Sequence, residues 1–385
     1  MIILAGASVR PITHSAAQSG FETLAIDFFG DLDCCGEVVT PHDHGLPPST
    51  GSLLEIARGI DCSGLIYGAG PENHGPALQH WEERGLLLGN GPSTLAHARD
   101  PYLLRETLGQ IGVEMPEFHS AEKPLVPGNR LLKPLFRGGG HGIIKLPECT
   151  TKARRVLSKL ERPERYIVQE QLEGTPGSVT FLADGRRALV VGTSAQLTQG
   201  ERSSFSYLGN IVPLPQPYPA FWGGMAKIAS HLTAAFGLKG LGTLDFILAP
   251  SSVMVLELNP RWSGSVELIE SWLGQSLFQA HLEACAGKLP DPAKWEKMIS
   301  ERPVRFYSKK IIYARTSFIV RNYYGGWQPL YDRGIRDIPK PGCQTREGEP
   351  ICTVLAQGAS EEECYFLLNK KETWVRKFYE QSEGR

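Results

Sequence analysis

The chain opens as an alternation of short apolar runs and helix-like stretches. Ile2–Ala5 suits a buried strand and ends in Gly6-Ala7-Ser8. Ile12–Ser19 reads as a helix closed by Gly20, Thr23–Asp27 as a second strand ending in an acid, and Ser52–Arg58 as a helix. Gly64–Tyr67 is a third strand before Gly68-Ala69-Gly70-Pro71. Leu86–Leu88 is a fourth, before Gly89-Asn90-Gly91-Pro92. Strand, loop and helix repeated over about ninety residues predict an open parallel α/β layer. Ligands of such layers sit beyond the carboxyl ends of the strands. The loops carrying Ser8, Arg10, Glu72, Asn73 and His74 are therefore candidate substrate contacts, although a purely structural role fits them equally well.

Farther along, Asp100-Pro101 makes a cap-like start for a helix over Tyr102–Ile111. Leu131–Pro134 is a short strand, Lys152–Leu160 a helix and Tyr166–Gln171 a strand. Ser178–Ala183 and Ala188–Ser194 flank Asp184-Gly185, a hairpin signal. Ala220–Phe236 is a long helix ended by Gly237. Gly242–Leu248 and Val253–Leu258 form a further strand pair, turning near Pro250, and Val266–Trp272 and Leu277–Ala286 are helical. From about Pro303 the pattern changes to a small mixed α/β region. Val304–Ala314, Ser317–Ile319 and Cys352–Ala356 read as strands and Glu361–Phe378 as a helix.

The 385 residues suffice for two or three domains with their own cores. Forty Lys and Arg against 41 Asp and Glu leave a net charge of −1, which argues against a nucleic-acid partner or an anionic membrane surface. None of the eight cysteines forms a C-x-x-C pair, so reduced thiols are expected. The apolar N-terminal run is short and lacks a basic flank, and no stretch approaches a bilayer span. The expectation is a soluble cytoplasmic protein.

Three segments carry chemistry. In the first, Lys133 ends a strand and is followed by Arg137-Gly138-Gly139-Gly140-His141-Gly142. Glycines let backbone N–H groups approach phosphate oxygens, and an ammonium adds a point charge. The segment is neither a P-loop nor a dinucleotide fingerprint. Alone it also fits a surface turn, and His141 also fits a solvated loop residue. In the second, Asp245 lies on one strand of a pair, and Glu257 and Asn259 lie two apart on the other, sharing a face with Arg261 directly beyond. Two carboxylates and an amide make a hard-oxygen site suited to Mg²⁺, and the guanidinium suits phosphate or carboxylate. A solvent-facing hairpin accounts for Asp245 but poorly for Glu257 and Asn259 alternating with Leu256 and Leu258. In the third, Gln169-Glu170-Gln171-Leu172-Glu173-Gly174 is an apolar strand running into acids, where a backbone edge could read adenine and a carboxylate could read ribose.

In this order the segments resemble the ATP-grasp superfamily. The resemblance implies an α/β fold: a Rossmann-like pre-ATP-grasp domain over residues 1–95, the two-part grasp over 96–290 with a flap at about 120–175, and a small β-rich C-terminal domain over 291–385. It implies ATP and Mg²⁺ as cofactors, with Mn²⁺ as an alternative. Lys133, Gly138–Gly142, Gln169–Glu173 and Leu256 correspond to nucleotide contacts and Asp245, Glu257 and Asn259 to metal ligands. Arg261 corresponds to the arginine that steadies phosphoryl and acyl phosphate groups, with Ser263 and Gly264 beside the substrate. Two departures stand out. Pro101 replaces the lysine of many relatives, with Arg99 or Arg105 as substitutes, and Thr175-Pro176-Gly177 occupies the stretch of the ribose glutamate, leaving Glu173. The branch it is most similar to is a group of ATP-grasp carboligases linked to tetrahydromethanopterin- and methanofuran-type one-carbon cofactors. The activity this implies is a carboxylate–amine ligase working through an acyl phosphate on small-molecule substrates, for instance adding glutamate to a cofactor precursor. A carboxylase, a kinase-like phosphoryl transferase and a catalytically weak nucleotide-binding regulator are the alternatives, and a homodimer is common in the superfamily.

Overall fold

The computed structural model describes residues 1–198, 205–215, 219–249, 252–302 and 304–379, with nothing said of the side chains of 219 and 220. The turn expected at Pro250 and the boundary expected at Pro303 lie outside these residues. The N-terminal layer is a four-stranded parallel sheet in the order Glu37–Val39, Thr23–Ile26, Ile2–Ala5, Gly64–Tyr67. Leu86–Leu88 is not a strand: it contributes one bridge, Leu65 to Leu87. The run is too short to pair further, because Asn90 is drawn toward the neighbouring domain. Its amide donates to the Lys239 and Pro260 carbonyls at 3.0 Å each and accepts from Lys239 N–H at 2.8 Å. Glu37–Val39, not foreseen, is the fourth strand, at the opposite edge beside Thr23–Ile26.

Helix starts follow their capping residues. Asp100 accepts from the Tyr102 and Leu103 N–H groups at 2.8 and 3.2 Å, with Pro101 in the first turn of Pro101–Gly109. The hairpin at Asp184-Gly185 forms as expected, with longer strands, Thr175–Asp184 and Ala188–Thr198. A small antiparallel sheet ordered Phe118–Ser120, Tyr166–Glu170, Arg130–Pro134, Ile144–Lys145 lies where the flap was expected. The main sheet has eight antiparallel strands. It runs from Val253–Asn259 through Lys239–Leu248, Thr175–Asp184, Ala188–Thr198 and Tyr207–Val212 to Phe306–Tyr313, Pro350–Gly358 and Ile335–Arg336. Tyr207–Val212 pairs with Phe306–Tyr313 in the register Gly209 to Lys310, so one sheet continues into the C-terminal region.

Strand alternation gives this sheet two different faces. Val179, Phe181, Leu244, Phe246 and Leu258 point into a core with the helix Pro219–Phe236. The opposite face starts apolar at Leu182 and Leu241, under helices Val266–Leu273 and Phe278–Cys285. It then turns polar at Ser178, Thr180, Thr243 and Asp245, and this polar half floors the cavity described below. No helix of the described residues is long and apolar enough to cross a membrane.

Two buried titratable groups pin the N-terminal layer to these helices. His281 accepts at Nδ1 from Leu241 N–H at 3.0 Å, and its Nε2 lies 3.1 Å from the Leu88 carbonyl, to which it donates in that tautomer. Burial holds its pKa down at about 4, so the ring stays neutral. Gly240, at φ +74°, is required here, because a Cβ would stand 2.6 Å from the His281 ring. Glu270, 9 % exposed, accepts from Ser15 Oγ and from Leu277 N–H at 2.7 Å. Burial pushes its pKa from 4.5 up to about 7, and the nearby Glu267 charge adds to the rise. The folded state therefore binds this proton more tightly than the unfolded chain does. Stability is lost as pH rises from about 4.5 through about 7, by about 3 kcal/mol if the whole shift is expressed. Glu270→Gln should abolish that component. Urea unfolding of both proteins between pH 5 and 8 should show the variant gaining on the wild type as pH rises, and a constant difference would refute the assignment.

Candidate active site

The site grows from the strand pair Lys239–Leu248 and Val253–Asn259. Thr243 pairs with Asn259 and Asp245 with Glu257, after which the register slips so that Phe246 pairs with Val255. Leu256 takes the extra position of this bulge, half-buried. Asp245, Glu257 and Asn259 thus converge on one face, as their two-residue spacing predicted. The Asn259 amide donates to Asp245 Oδ2 at 3.0 Å and to Glu257 Oε1 at 3.2 Å, and Gln196 Nε2 donates to Asp245 Oδ1 at 2.9 Å. Lys133 reaches in from the flap strand Arg130–Pro134, its Nζ 2.5 Å from Glu257 Oε2.

Burial drives both carboxyls toward the neutral form, and the neighbouring Glu257 charge pushes Asp245 well up. At Glu257 the Lys133 ammonium and the Asn259 amide override burial and hold the carboxyl down at about 2. The pair is short of positive charge, which suits a divalent cation. Among the described residues no group of three or more His, Cys, Asp or Glu stands close enough to bind a metal. Asp245, Glu257 and Asn259 offer two carboxylates and an amide, a donor set that would need phosphate oxygens and water to complete the shell of Mg²⁺. Asn259 Oδ1 now accepts from Arg261 Nη2 at 3.2 Å, so ligation by this oxygen requires the amide to turn.

Arg261 follows the strand and is held from the N-terminal domain, its Nε 2.6 Å from Glu72 Oε1, with side chains 9 and 2 % exposed. Glu72 in turn accepts from Gly70 N–H at 2.5 Å. Arg99 donates to the Glu72 carbonyl and to Asn73 Oδ1, both at 2.8 Å, and so joins this network. The Arg105 guanidinium instead lies 4.5 Å from the Phe118 ring centre. Of the two arginines weighed against Pro101, Arg99 is the one held beside Glu72.

The flap loop reaches the same place. Gly139 and His141 line the cavity, and the Gly139 carbonyl accepts from Tyr207 N–H at 3.0 Å. Gly140, at φ +72°, passes so close to Phe205 that a Cβ would meet its carbonyl oxygen at 1.9 Å. At the strand exit Gln169 is buried and paired to Leu131 and Phe118. Glu170 and Leu172 are half-buried, Glu173 is exposed, and the buried Gln171 Oε1 has no hydrogen-bond partner. An orphaned acceptor at that position fits an incoming amine such as that of adenine.

Part of this set lines one cavity of 360 Å³ between the N-terminal layer, the main sheet and the C-terminal strands, whereas Lys133, Gln169–Glu173 and Leu256 are not in its wall. Ser8, Asp245, Glu257, Asn259, Arg261, Ser263 and Gly264 are in its wall. Arg10 and Glu72 are buried behind it, Asn73 is tied to Arg99, and His74 is exposed outside it. Sequence reasoning missed Gln196, Tyr207, Asn210 and Lys309, which also line it. Lys309 Nζ lies 3.3 Å from Glu267 Oε2. A lysine inside the apolar run Val304–Ala314 was the signal for it.

Residues 98–265 match the family model of the ATP-grasp domain. Uncharacterized protein MJ0776 of Methanocaldococcus jannaschii is 24 % identical over 96 % of this chain and 93 % of its own length. The arginine-specific carbamoyl phosphate synthase large chain of Bacillus subtilis is 20 % identical over 70 % of this chain, which spans 27 % of that protein. L-amino acid ligase from Bacillus licheniformis superposes with a TM-score of 0.69 at 15 % identity, over 97 % of each chain. The biotin carboxylase domain of Hydrogenobacter thermophilus 2-oxoglutarate carboxylase, solved with MgADP, ADP and bicarbonate, gives 0.72 at 16 % identity, over 98 % of this chain and 90 % of that one. The fold is the mixed α/β ATP-grasp fold.

The Arg261–Glu72 contact yields a stability prediction. Glu72→Ala leaves a buried guanidinium without its carboxylate and should cost about 3–5 kcal/mol. Glu72→Gln keeps a hydrogen-bond acceptor and should cost less. Denaturant unfolding of the two variants measures this, and equal small losses would show that the pair bears little load.

Proposed function

We propose that this chain, which folds as an ATP-grasp protein and carries an ATP-grasp domain over residues 98–265, is an ATP-dependent carboxylate–amine ligase that forms an amide through an acyl phosphate. The observation that carries the reading is the convergence of Lys133, Asp245, Glu257, Asn259 and Arg261 at one end of a cavity with room for further substrate. A pure nucleotide binder has little use for an arginine buried against Glu72 of the N-terminal layer and bonded to the Asn259 amide beside a carboxylate pair.

When bound, Mg-ATP supplies the transferable phosphoryl group and a hard Lewis acid. Asp245, Glu257 and Asn259 hold the ion, either Mg²⁺ or Mn²⁺. Lys133 and the Gly138–Gly142 amides hold phosphates, while Gln169–Glu173 and Leu256 hold the nucleoside. Such transfer needs positioning and electrostatic stabilisation more than covalent help. Arg261 orients the substrate carboxylate and then the acyl phosphate, and Lys309 adds a second cation nearby. The flap loop, seated on Tyr207, keeps water from the acyl phosphate until an amine attacks its carbonyl carbon and phosphate leaves.

Likeness to an amino acid ligase supports an organic acid paired with an amine. Bicarbonate in place of the organic acid is the second reading, favoured by the likeness to a carboxylase domain solved with bicarbonate. Glutamate as the added amino acid, pterin and furan precursors, a homodimer and a cytoplasmic location are further parts of the proposal that rest on the sequence resemblance. The test is ADP release from Mg-ATP across paired carboxylates and amines, with bicarbonate alongside and the coupled product identified by mass. Release requiring both an acid and an amine supports the ligase; release requiring bicarbonate alone overturns it in favour of a carboxylase. Glu257→Gln and Lys133→Met should each lower turnover by at least about a hundredfold. A Glu257→Gln enzyme of normal rate would sink the metal assignment.

A further inference from the structure

The cavity has a second end, acidic rather than nucleotide-facing, where the loop after Thr23–Ile26 meets the residues after Ile335–Arg336. Asp31 and Asp337 both line it. Asp31 is only 4 % exposed, yet its Oδ2 has no hydrogen-bond partner. Its acidic neighbours are all engaged. Asp27 accepts from the Val9, Phe29 and Gly30 N–H groups at 3.2, 3.1 and 2.8 Å. Asp33 accepts from the Asp337 and Ile338 N–H groups at 3.1 and 2.8 Å. Asp337 Oδ1 receives Arg10 Nε at 2.9 Å. Arg10 Nε and Nη1 serve Asp337, Asp33 and Glu267, and Lys309 serves Glu267; Arg10 Nη2 has no hydrogen-bond partner, and its charge acts on Asp31 without forming an ion pair with it. Among the described residues no cation is ion-paired with Asp31.

A buried carboxyl with neither a hydrogen-bond partner nor an ion pair is costly unless something else supplies one. Burial and the surrounding aspartates push the Asp31 carboxyl well up, which is the same deficit of positive charge. The backbone agrees: Asp337, at φ +54°, is the one non-glycine described residue in the left-handed region. Such conformations persist where the surroundings over-determine them, and they cluster at ligand sites. A metal ion is a poor candidate, since the Asp27 and Asp33 carboxylates accept from backbone N–H groups and Asp337 Oδ1 from Arg10. The lining also includes Ile12, Phe29, Tyr313 and Ile351, which suit a hydrocarbon or aromatic stem.

We propose that this end is a subsite for an organic cation of the substrate, a protonated amine or a guanidinium, with Asp31 as its ion-pair partner and Asp337 as a second contact. It rests on reading the cavity as the ligase's substrate site, and it adds that a substrate carries positive charge at the end remote from the metal-binding carboxylates. Asp31 and Asp337 then determine specificity and take no part in phosphoryl transfer.

Three probes with one stem and different charge test this on the full chain: n-butylammonium, n-butanol and butyrate. Binding is followed by ligand-detected NMR in the presence of MgADP. The ammonium should bind at least about tenfold tighter than the alcohol or the carboxylate, a tenfold step being 1.4 kcal/mol. Asp31→Asn should remove that preference, with MgADP affinity unchanged within about twofold. Because the substitution replaces an unpartnered buried carboxyl with an amide of the same size, this variant should unfold at a denaturant concentration close to that of the wild type without ligand. Asp337→Asn should weaken ammonium binding less, since Arg10 already shares that carboxylate. Equal binding of ammonium and alcohol, or undiminished ammonium binding by Asp31→Asn, overturns the subsite. The wild-type comparison decides it without any variant. MgADP binding, read separately, reports on the ligase reading: a wild-type chain that selects ammonium but binds no nucleotide keeps the subsite and loses the ligase.

Discussion

The active-site architecture depends on one buried ion pair. Arg261 stands at the end of a strand of the main sheet, Glu72 in a loop of the N-terminal layer, and their contact at 2.6 Å is almost wholly screened from water. Burying both charges costs several kcal/mol per ion, recovered only with good geometry and further hydrogen bonds. Those bonds are present: Glu72 takes the Gly70 N–H, and Arg261 reaches Asn259 and the Trp262 carbonyl. The pair therefore positions as well as holds. It fixes where the N-terminal loops meet the sheet, and so where the cavity wall carrying Ser8 lies relative to Asp245 and Glu257.

The chemistry was legible wherever it followed a local rule. Glu257 and Asn259 share a face because side chains alternate along a strand, and the Asp245 strand precedes theirs across a short turn. Lys133 was legible as a lysine before glycines, although its 2.5 Å contact with Glu257 spans 124 positions and could not be read from spacing. Contacts between distant segments were the ones missed. Glu72 looked like a substrate contact because its loop follows a strand; folding turns it instead onto an arginine 189 positions away. Asp31 gave no signal, since an acid in a loop is ordinarily solvated, and only packing of the C-terminal strands over it makes it buried.

The misread element has the same cause. Leu86–Leu88 has the composition of a strand, but its end is held by Asn90 and by the His281 contact to the Leu88 carbonyl, which belong to other parts of the chain. Tertiary context overrides propensity most readily in short runs. Conversely, the long helix ending at Gly237 and the hairpin at Asp184-Gly185 form where expected, because the terminating residue supplies the backbone geometry itself.

The continuity of the eight-stranded sheet reaches beyond the active site. Tyr207–Val212 finds its outer neighbour in Phe306–Tyr313, so the C-terminal strands act as the guard of an otherwise open edge. Removing them would bare a row of unpaired N–H and C=O groups along Tyr207–Val212, together with the buried Ile211 and Val212. Such an edge is a template for pairing with another chain. A fragment ending before Phe306 is therefore a poor starting point for isolating the half that matches the ATP-grasp domain: its exposed edge favours self-association over a soluble monomer.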